Sequence, residues 1–304
     1  MNNMQALGLD IGGTKIEAQI FHAGWGIHAT RRIETPRDYT ALLVAIADLV
    51  AWADSTAGRA LPVGIGAAGL INPADGTALT ANLAATGRPL PADIMTAVGR
   101  PVTYLNDCRA LTLSEAVFGA GRPHRSVMAL ILGTGVGGGI AIDGHLLNGP
   151  TQTGGEFGHI AASAQLVIRH NLPVVACGCG RVGCIETLIS GPGLTRIGNV
   201  TTGRALGPPA LIAARSKDAG AQAAWDIWCA LTADLIRTLI LTVDPGCIIL
   251  GGGLSNVADV VPDLQAAVAK AQFAGFAVPP IVLASGGDTS GARGAAYAAT
   301  KGVT

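Results

Sequence analysis

"ALGLDIGGTKIEAQIF", Ala6 to Phe21, places a short apolar run, a Gly-Gly-Thr turn and a second apolar run side by side. "ALGLD" reads as a buried strand, "GGT" as a tight turn and "IEAQIF" (Ile16 to Phe21) as a returning strand, which together make a hairpin. The outline recurs half a chain later in "VMALILGTGVGGGIAIDG", Val127 to Gly144. Two strand–glycine turn–strand units, each followed by further α/β pattern, predict a duplicated α/β fold of two lobes with a cleft between them. The 304 residues are enough to bury a full core in such a fold.

Outward from the first hairpin, "YTALLVAIADLVAWAD" spaces Leu42, Leu43, Ile46, Leu49 and Val50 as one face of a helix. "PVGIGAAG" (Pro62 to Gly69) reads as strand and turn, and "VTYLND" as a strand ending in Asn106 and Asp107. "RALTLSEAVFGAG" reads as a helix closed by glycine. A long helix over Ala219 to Val243, a strand "CIILGGG", a helix from Asp259 to Ala271, a strand "PIVLAS" and a helix from Gly291 to Lys301 complete the pattern.

Hydrophobic residues make up 49% of the chain and charged residues 13%, with a formal net charge of zero. A neutral chain without a basic run carries no electrostatic footprint for nucleic acid or an anionic membrane. The start "MNNMQALGLD" lacks a basic region followed by an apolar core, and "SVMALILGTGVGGGIAI" is broken by its glycines. The expected setting is cytoplasmic, with no membrane partner. There, clustered cysteines more often bind metal or do redox chemistry than form structural disulfides.

The 43 glycines gather in turns. Gly12, Gly13 and Thr14 form one, and Gly133, Thr134 and Gly135 another, each exposing consecutive backbone N–H groups that can bind an anion. Asp10, at a strand end, can hold Mg²⁺ through water, and Lys15 can meet a phosphate. Taken singly, each turn reads as a structural hairpin. Two of them, with Gly251, Gly252 and Gly253 as a third turn before a helix, favour a nucleoside triphosphate. No GxxxxGK[ST] loop is present, and the hairpin context does not fit dinucleotide binding.

Asp107 faces two readings, a catalytic carboxylate at a strand end or the cap of the following helix. The stretch "CGCGRVGCIE" (Cys177 to Glu186) holds three of the six cysteines, and "GEFGHI" just upstream supplies His159. His159, Cys177, Cys179 and Cys184 offer four ligands for a metal such as Zn²⁺, while a C-x-C redox pair is the rival on spacing alone. Cys108, Cys229 and Cys247 read as buried small hydrophobes.

"DIGGTK", "LNDCRA", "LGTGVGGG", "GEFGHI", "CGCGRVGCIE" and "GGGLSN", in this order, resemble the ROK family of sugar kinases on the two-lobed actin-like ATPase (ribonuclease H-like) fold. The resemblance implies that Asp107 is the general base and that Asn82, Asn106, Glu156, His159 and Glu186 bind the sugar. It also implies a structural zinc on His159, Cys177, Cys179 and Cys184, Mg²⁺ with ATP, and a homodimer. Its lobes would be residues 1–120 with 290–304, and residues 121–289. Within the family, "TANLAATGRPLPADI", "GEFGHI" and "GGDTSGARGAAY" are most similar to N-acetylglucosamine kinases, which implies phosphorylation of N-acetyl-D-glucosamine to its 6-phosphate. Fructokinase, mannokinase and glucokinase are the alternatives.

Two departures stand out. Cys108 and Arg109 follow "ND" where relatives usually carry small or amide residues, and "GAAG" (Gly66 to Gly69) has Ala68 in place of a usual proline. Two other classes fit less well. A sugar-responsive repressor needs a DNA-binding domain ahead of the nine residues that precede Asp10, and a non-enzymatic actin-like assembly protein has no use for "NDCRA" or the cysteine loop.

Overall fold

The computed structural model describes residues 4–287 and 290–302, so Asp288 and Thr289 of the "GGDTSG" stretch lie outside the described residues. The chain divides into two compact units. One comprises the residues through Arg122, Gly139–Gly154 and those from Ser285 on; the other comprises Pro123–Gly138 and Gly155–Ala284. The excursion of Gly139–Gly154 into the first unit has no boundary signal in the sequence.

In the first unit, β1 (Met4–Ile11) pairs antiparallel with β2 (Lys15–His22), and β2 with β3 (Ile27–Glu34). Helix α1 (Tyr39–Ala57) leads to β4 (Val63–Ala67), which lies parallel to β1. A small ribbon of β5 (Leu70–Ile71) and β6 (Ala78–Leu79), then α2 (Leu90–Val98), leads to β7 (Thr103–Asn106), parallel to β4, and α3 (Asp107–Phe118). The sheet order is β3-β2-β1-β4-β7.

The second half repeats it. Strands β8 (Ser126–Leu132), β9 (Val136–Ile142) and β10 (His145–Leu146) are followed by helices α4 (Ala164–Arg169), α5 (Glu186–Ile189), α6 (Gly191–Thr202), α7 (Pro208–Ala214) and α8 (Ala219–Val243). Next come β11 (Cys247–Gly251), α9 (Val260–Ala271), β12 (Ile281–Leu283) and α10 (Ser290–Lys301). The order β10-β9-β8-β11-β12, with β8, β11 and β12 parallel, matches that of the first sheet strand for strand. This is the duplicated plan expected of the actin-like ATPase fold.

The alternation of side chains along β1 decides what covers each face of its sheet. Leu7, Leu9 and Ile11 join a core with Leu42, Ile46 and Leu49 of α1 and Ile94 of α2. Ala6 packs with Ala292 and Ala296 of α10 on the other face. Gly8, on that same face, and Gly64 of β4 let α10 approach so closely that a Cβ on either would collide with the carbonyls of Ala292 or Ala295. Large residues therefore mark the α1 face and small ones the α10 face. Asp10 continues the small-residue row, so its carboxylate arrives beside Gly291 in the first turn of α10.

Helix α1 is long and apolar enough to cross a membrane by length and composition. Its apolar face is instead the cover of this sheet. In the second unit, Trp225 and Trp228 of α8 stack at 4.6 Å between ring centroids, fully buried, as core residues.

Candidate active site

The C-terminal ends of the parallel strands β1, β4 and β7 lie level. Asp10 pairs with Gly66, and Ala67 pairs with Asn106. Ligands in α/β sheets gather at such strand ends. The turn after β1 is closed by the Gly12 amide donating to the Lys15 carbonyl at 3.0 Å, and Thr35 Oγ1 donates to the Gly12 carbonyl at 2.6 Å. Gly13 and Thr14 are exposed at its tip. Asn82 lies directly against it: a Cβ on Gly13 would sit 2.5 Å from the Asn82 Cβ.

Asn106 ends β7 and caps α3. Its Oδ1 accepts from the Cys108 amide at 3.0 Å and the Arg109 amide at 3.3 Å, while its Nδ2 donates to the Gly69 carbonyl at 3.1 Å. Asp107, the first residue of the helix, accepts from the Cys108 amide at 2.8 Å. Asp107 is half-buried. Lost hydration raises its carboxyl above the ordinary carboxylate value, against the lowering effect of that amide. Burial, and then the Asp107 charge, push the neighbouring Tyr104 hydroxyl upward as well. Cys108, expected to be a buried hydrophobe, is half-buried in the first turn of α3; Cys229 and Cys247 are buried as expected.

In the second unit, the turn after β8 closes one residue tighter than its counterpart, through the Gly133 amide donating to the Gly135 carbonyl at 3.0 Å. The Gly191 amide, opening α6, donates to the Gly133 carbonyl at 2.8 Å. Gly252 has φ +85°, and a Cβ there would sit 2.5 Å from the Leu132 carbonyl oxygen. This close approach brings the Gly251–Gly253 turn beside the Gly133–Gly135 turn. Gly133, Thr134 and Gly253 line one cavity of about 1190 Å³, with Arg196 of α6 and Pro208 and Ile212 of α7 on its wall. Sequence reasoning missed those wall residues, which carry no motif and come from segments far apart in the chain.

The ligand atoms of His159, Cys177, Cys179 and Cys184 all lie within 4.8 Å of one another, a group able to hold a metal ion. His159 Nδ1 faces the Cys177 sulfur at 3.6 Å, and the Cys179 and Cys184 sulfurs are 3.6 Å apart. No disulfide joins any of the six cysteines, and sulfurs at that spacing are well beyond a bonded pair. His159 Nε2 points the other way, 3.7 Å from Glu156 Oε2. Glu186, opening α5, accepts from the Val136 amide through Oε2 at 2.7 Å, while the Cys177 thiol lies 3.8 Å from its Oε1. One carboxylate thereby bridges the cysteine loop and the glycine turn after β8.

The ROK family model matches residues 6–301. The chain is 41% identical to the N-acetylgalactosamine kinase AgaK of Shewanella sp. (strain ANA-3) over 292 residues, covering 95% of this chain and 94% of that one. It is 39% identical to the N-acetyl-D-glucosamine kinase of Escherichia fergusonii, covering 95% and 97%. The ROK hexokinase from Thermus thermophilus superposes with a TM-score of 0.86 at 30% identity, over 98% of this chain and all of the other. The chain belongs to the ROK family.

Proposed function

We propose that the protein transfers the γ-phosphoryl group of Mg-ATP to the 6-hydroxyl of N-acetyl-D-glucosamine. The observation that carries this reading is Asp107, a half-buried carboxylate at the end of β7 whose proton affinity burial raises. Phosphoryl transfer needs the acceptor hydroxyl held in line and its proton taken as the new bond forms, and such a carboxylate suits the second task. Asn106, Asn82, Glu156, Glu186 and His159 are the proposed sugar ligands. The three glycine turns are the proposed phosphate cradle, Lys15 adds a cation, and the cavity beside Gly133 and Gly253 takes the nucleoside. Asp10 is the proposed holder of the Mg²⁺ that accompanies ATP.

The metal of the Cys₃His group is proposed to be zinc. Tetrahedral bonds of about 2.3 Å to sulfur and about 2.0 Å to nitrogen put two sulfurs about 3.8 Å apart and a sulfur and a nitrogen about 3.5 Å apart; the Cys179–Cys184 sulfur spacing and the Cys177 sulfur to His159 Nδ1 spacing, both 3.6 Å, fit that. Four protein ligands leave no open position, so this zinc would be structural and would hold the loop carrying Glu186 in shape. Thiolate ligands need a reducing compartment, which supports a cytoplasmic setting, and a homodimer is proposed from the family.

One observation favours a second reading: the 41% identical relative is named for N-acetylgalactosamine, the C4 epimer. A coupled ADP-release assay with Mg-ATP should compare N-acetylglucosamine, N-acetylgalactosamine, N-acetylmannosamine, glucose, mannose and fructose. A kcat/KM for N-acetylglucosamine tenfold or more above the rest supports the first reading, and the reverse preference supports the second. No turnover on any of these sugars overturns both.

A further inference from the structure

The residue two positions after the proposed base breaks a local rule. Arg109 sits in the first turn of α3, where the positive end of the helix disfavours a cation, yet it is only 7% exposed. A buried guanidinium at such a place must be held by acceptors. Arg109 Nε donates to the Gly154 carbonyl at 3.0 Å, and Nη2 donates to the Gln152 carbonyl. Both acceptors belong to the surface segment that ends the Gly139–Gly154 excursion. Gln152 adopts φ +52°, a left-handed conformation that a non-glycine residue holds only when something fixes it. The route is crowded from its other end too: a Cβ on Gly139 would meet Thr112 Oγ1 at 2.6 Å and the Arg109 Cα at 3.3 Å.

We infer that Arg109 is a positioning residue for sugar binding: its two-pronged grip on Gln152 and Gly154 ties the helix that begins with Asp107 to the backbone that runs, two residues later, into Glu156. A planar guanidinium can serve two carbonyls at once in a fixed fork, which the single ammonium of lysine cannot reproduce. The grip acts on where the chain departs toward Glu156, and neither Gln152 nor Gly154 lines the cavity beside Gly133 and Gly253. Its loss therefore weakens sugar binding while ATP binding and metal content stay as they were.

This inference rests on the kinase reading, so wild-type turnover on an amino sugar is established first; silence there sinks the kinase reading and this inference with it, whereas the variants below test Arg109 alone. In an active protein, Arg109→Ala is expected to raise the sugar KM at least tenfold, with the ATP KM and zinc content within twofold of wild type, and Arg109→Lys to recover less than half of the loss. Gln152→Val disfavours the left-handed backbone from outside the core and is expected to reproduce the same split, which keeps the inference testable should Arg109→Ala fail to fold. A sugar KM within twofold of wild type in either Arg109→Ala or Gln152→Val overturns the inference. So does a parallel rise of the sugar and ATP KM values.

Discussion

The side-chain oxygen of Asn106 accepts the backbone amide of Cys108 at 3.0 Å. With the Arg109 amide also on that oxygen, the cap of α3 is Asn106. Asp107 is thereby relieved of the capping duty that the sequence offers it as an alternative. It accepts from the Cys108 amide and has a carboxyl that lost hydration makes more basic.

Asp107→Asn removes the proposed proton acceptor without changing shape. Turnover is expected to fall about 10²- to 10⁴-fold, with sugar affinity nearly unchanged by calorimetry. In the wild type, kcat/KM should decline as pH falls through the Asp107 pKa, along a limb lying above the ordinary value of 3.8. Full activity in the variant removes Asp107 from the mechanism.

The same raised carboxyl makes a stability prediction of fixed sign. A pKa raised by folding favours the native state below the unfolded value, and that advantage is lost as pH rises through the folded value. Asp107→Asn should therefore melt higher than wild type at pH 7, the gap closing toward pH 3. A melting point lower at neutral pH would show that the carboxylate is held by more than the bond to Cys108.

Glu115 is fully buried on α3 and accepts from the Ser285 and Gly286 amides at 2.9 and 2.8 Å, from Ser290 Oγ at 2.7 Å and from the Ala120 amide at 3.0 Å. Burial alone would raise its carboxyl; these donors outweigh it and bring the carboxyl below the ordinary 4.5. Stability from Glu115 is present above its unfolded pKa and fades as pH falls through the lowered folded value. Glu115→Gln is expected to cost about 3 kcal/mol at pH 7 by denaturant unfolding, and less in acid. An unchanged midpoint would mean that the donors are satisfied without the charge.

Freshly purified protein should contain zinc at one ion per chain by mass spectrometry of the metal. Cys184→Ser should lose the metal and lower the melting point, while Cys247→Ser, in the core strand β11, should keep the metal. Metal-free wild type with full stability and activity would leave the Cys₃His group without its proposed role.

Gly252→Ala combines a left-handed backbone with a contact of 2.5 Å to the Leu132 carbonyl oxygen. It is expected to cost about 1–3 kcal/mol and to raise the ATP KM more than the sugar KM, because it displaces a turn lining the cavity. Equal effects on both substrates would detach this turn from nucleotide binding.

Much of this protein was legible from local sequence. Apolar runs flanking glycine turns state their own burial and their own reversal, so both hairpins, with the buried strand from Ala6 to Asp10, could be read directly. The four candidate metal ligands could be read too, since three of them fall within eight residues. Strand β3 could not be read: it is almost wholly exposed, so it lacks the alternation that marks a half-buried strand, and it pairs instead through contacts such as Arg32 Nε to Glu17 Oε2 at 2.7 Å.

Only the tertiary structure assigned the cap of α3 to Asn106, put the Val136 amide on Glu186, set Asp10 against Gly291 and gave Arg109 two carbonyls more than forty residues away. A sequence window records what a residue needs from its immediate neighbours, namely burial, period and turn conformation. Which distant backbone group meets a buried polar side chain depends on how the packed elements meet, and no local pattern carries that.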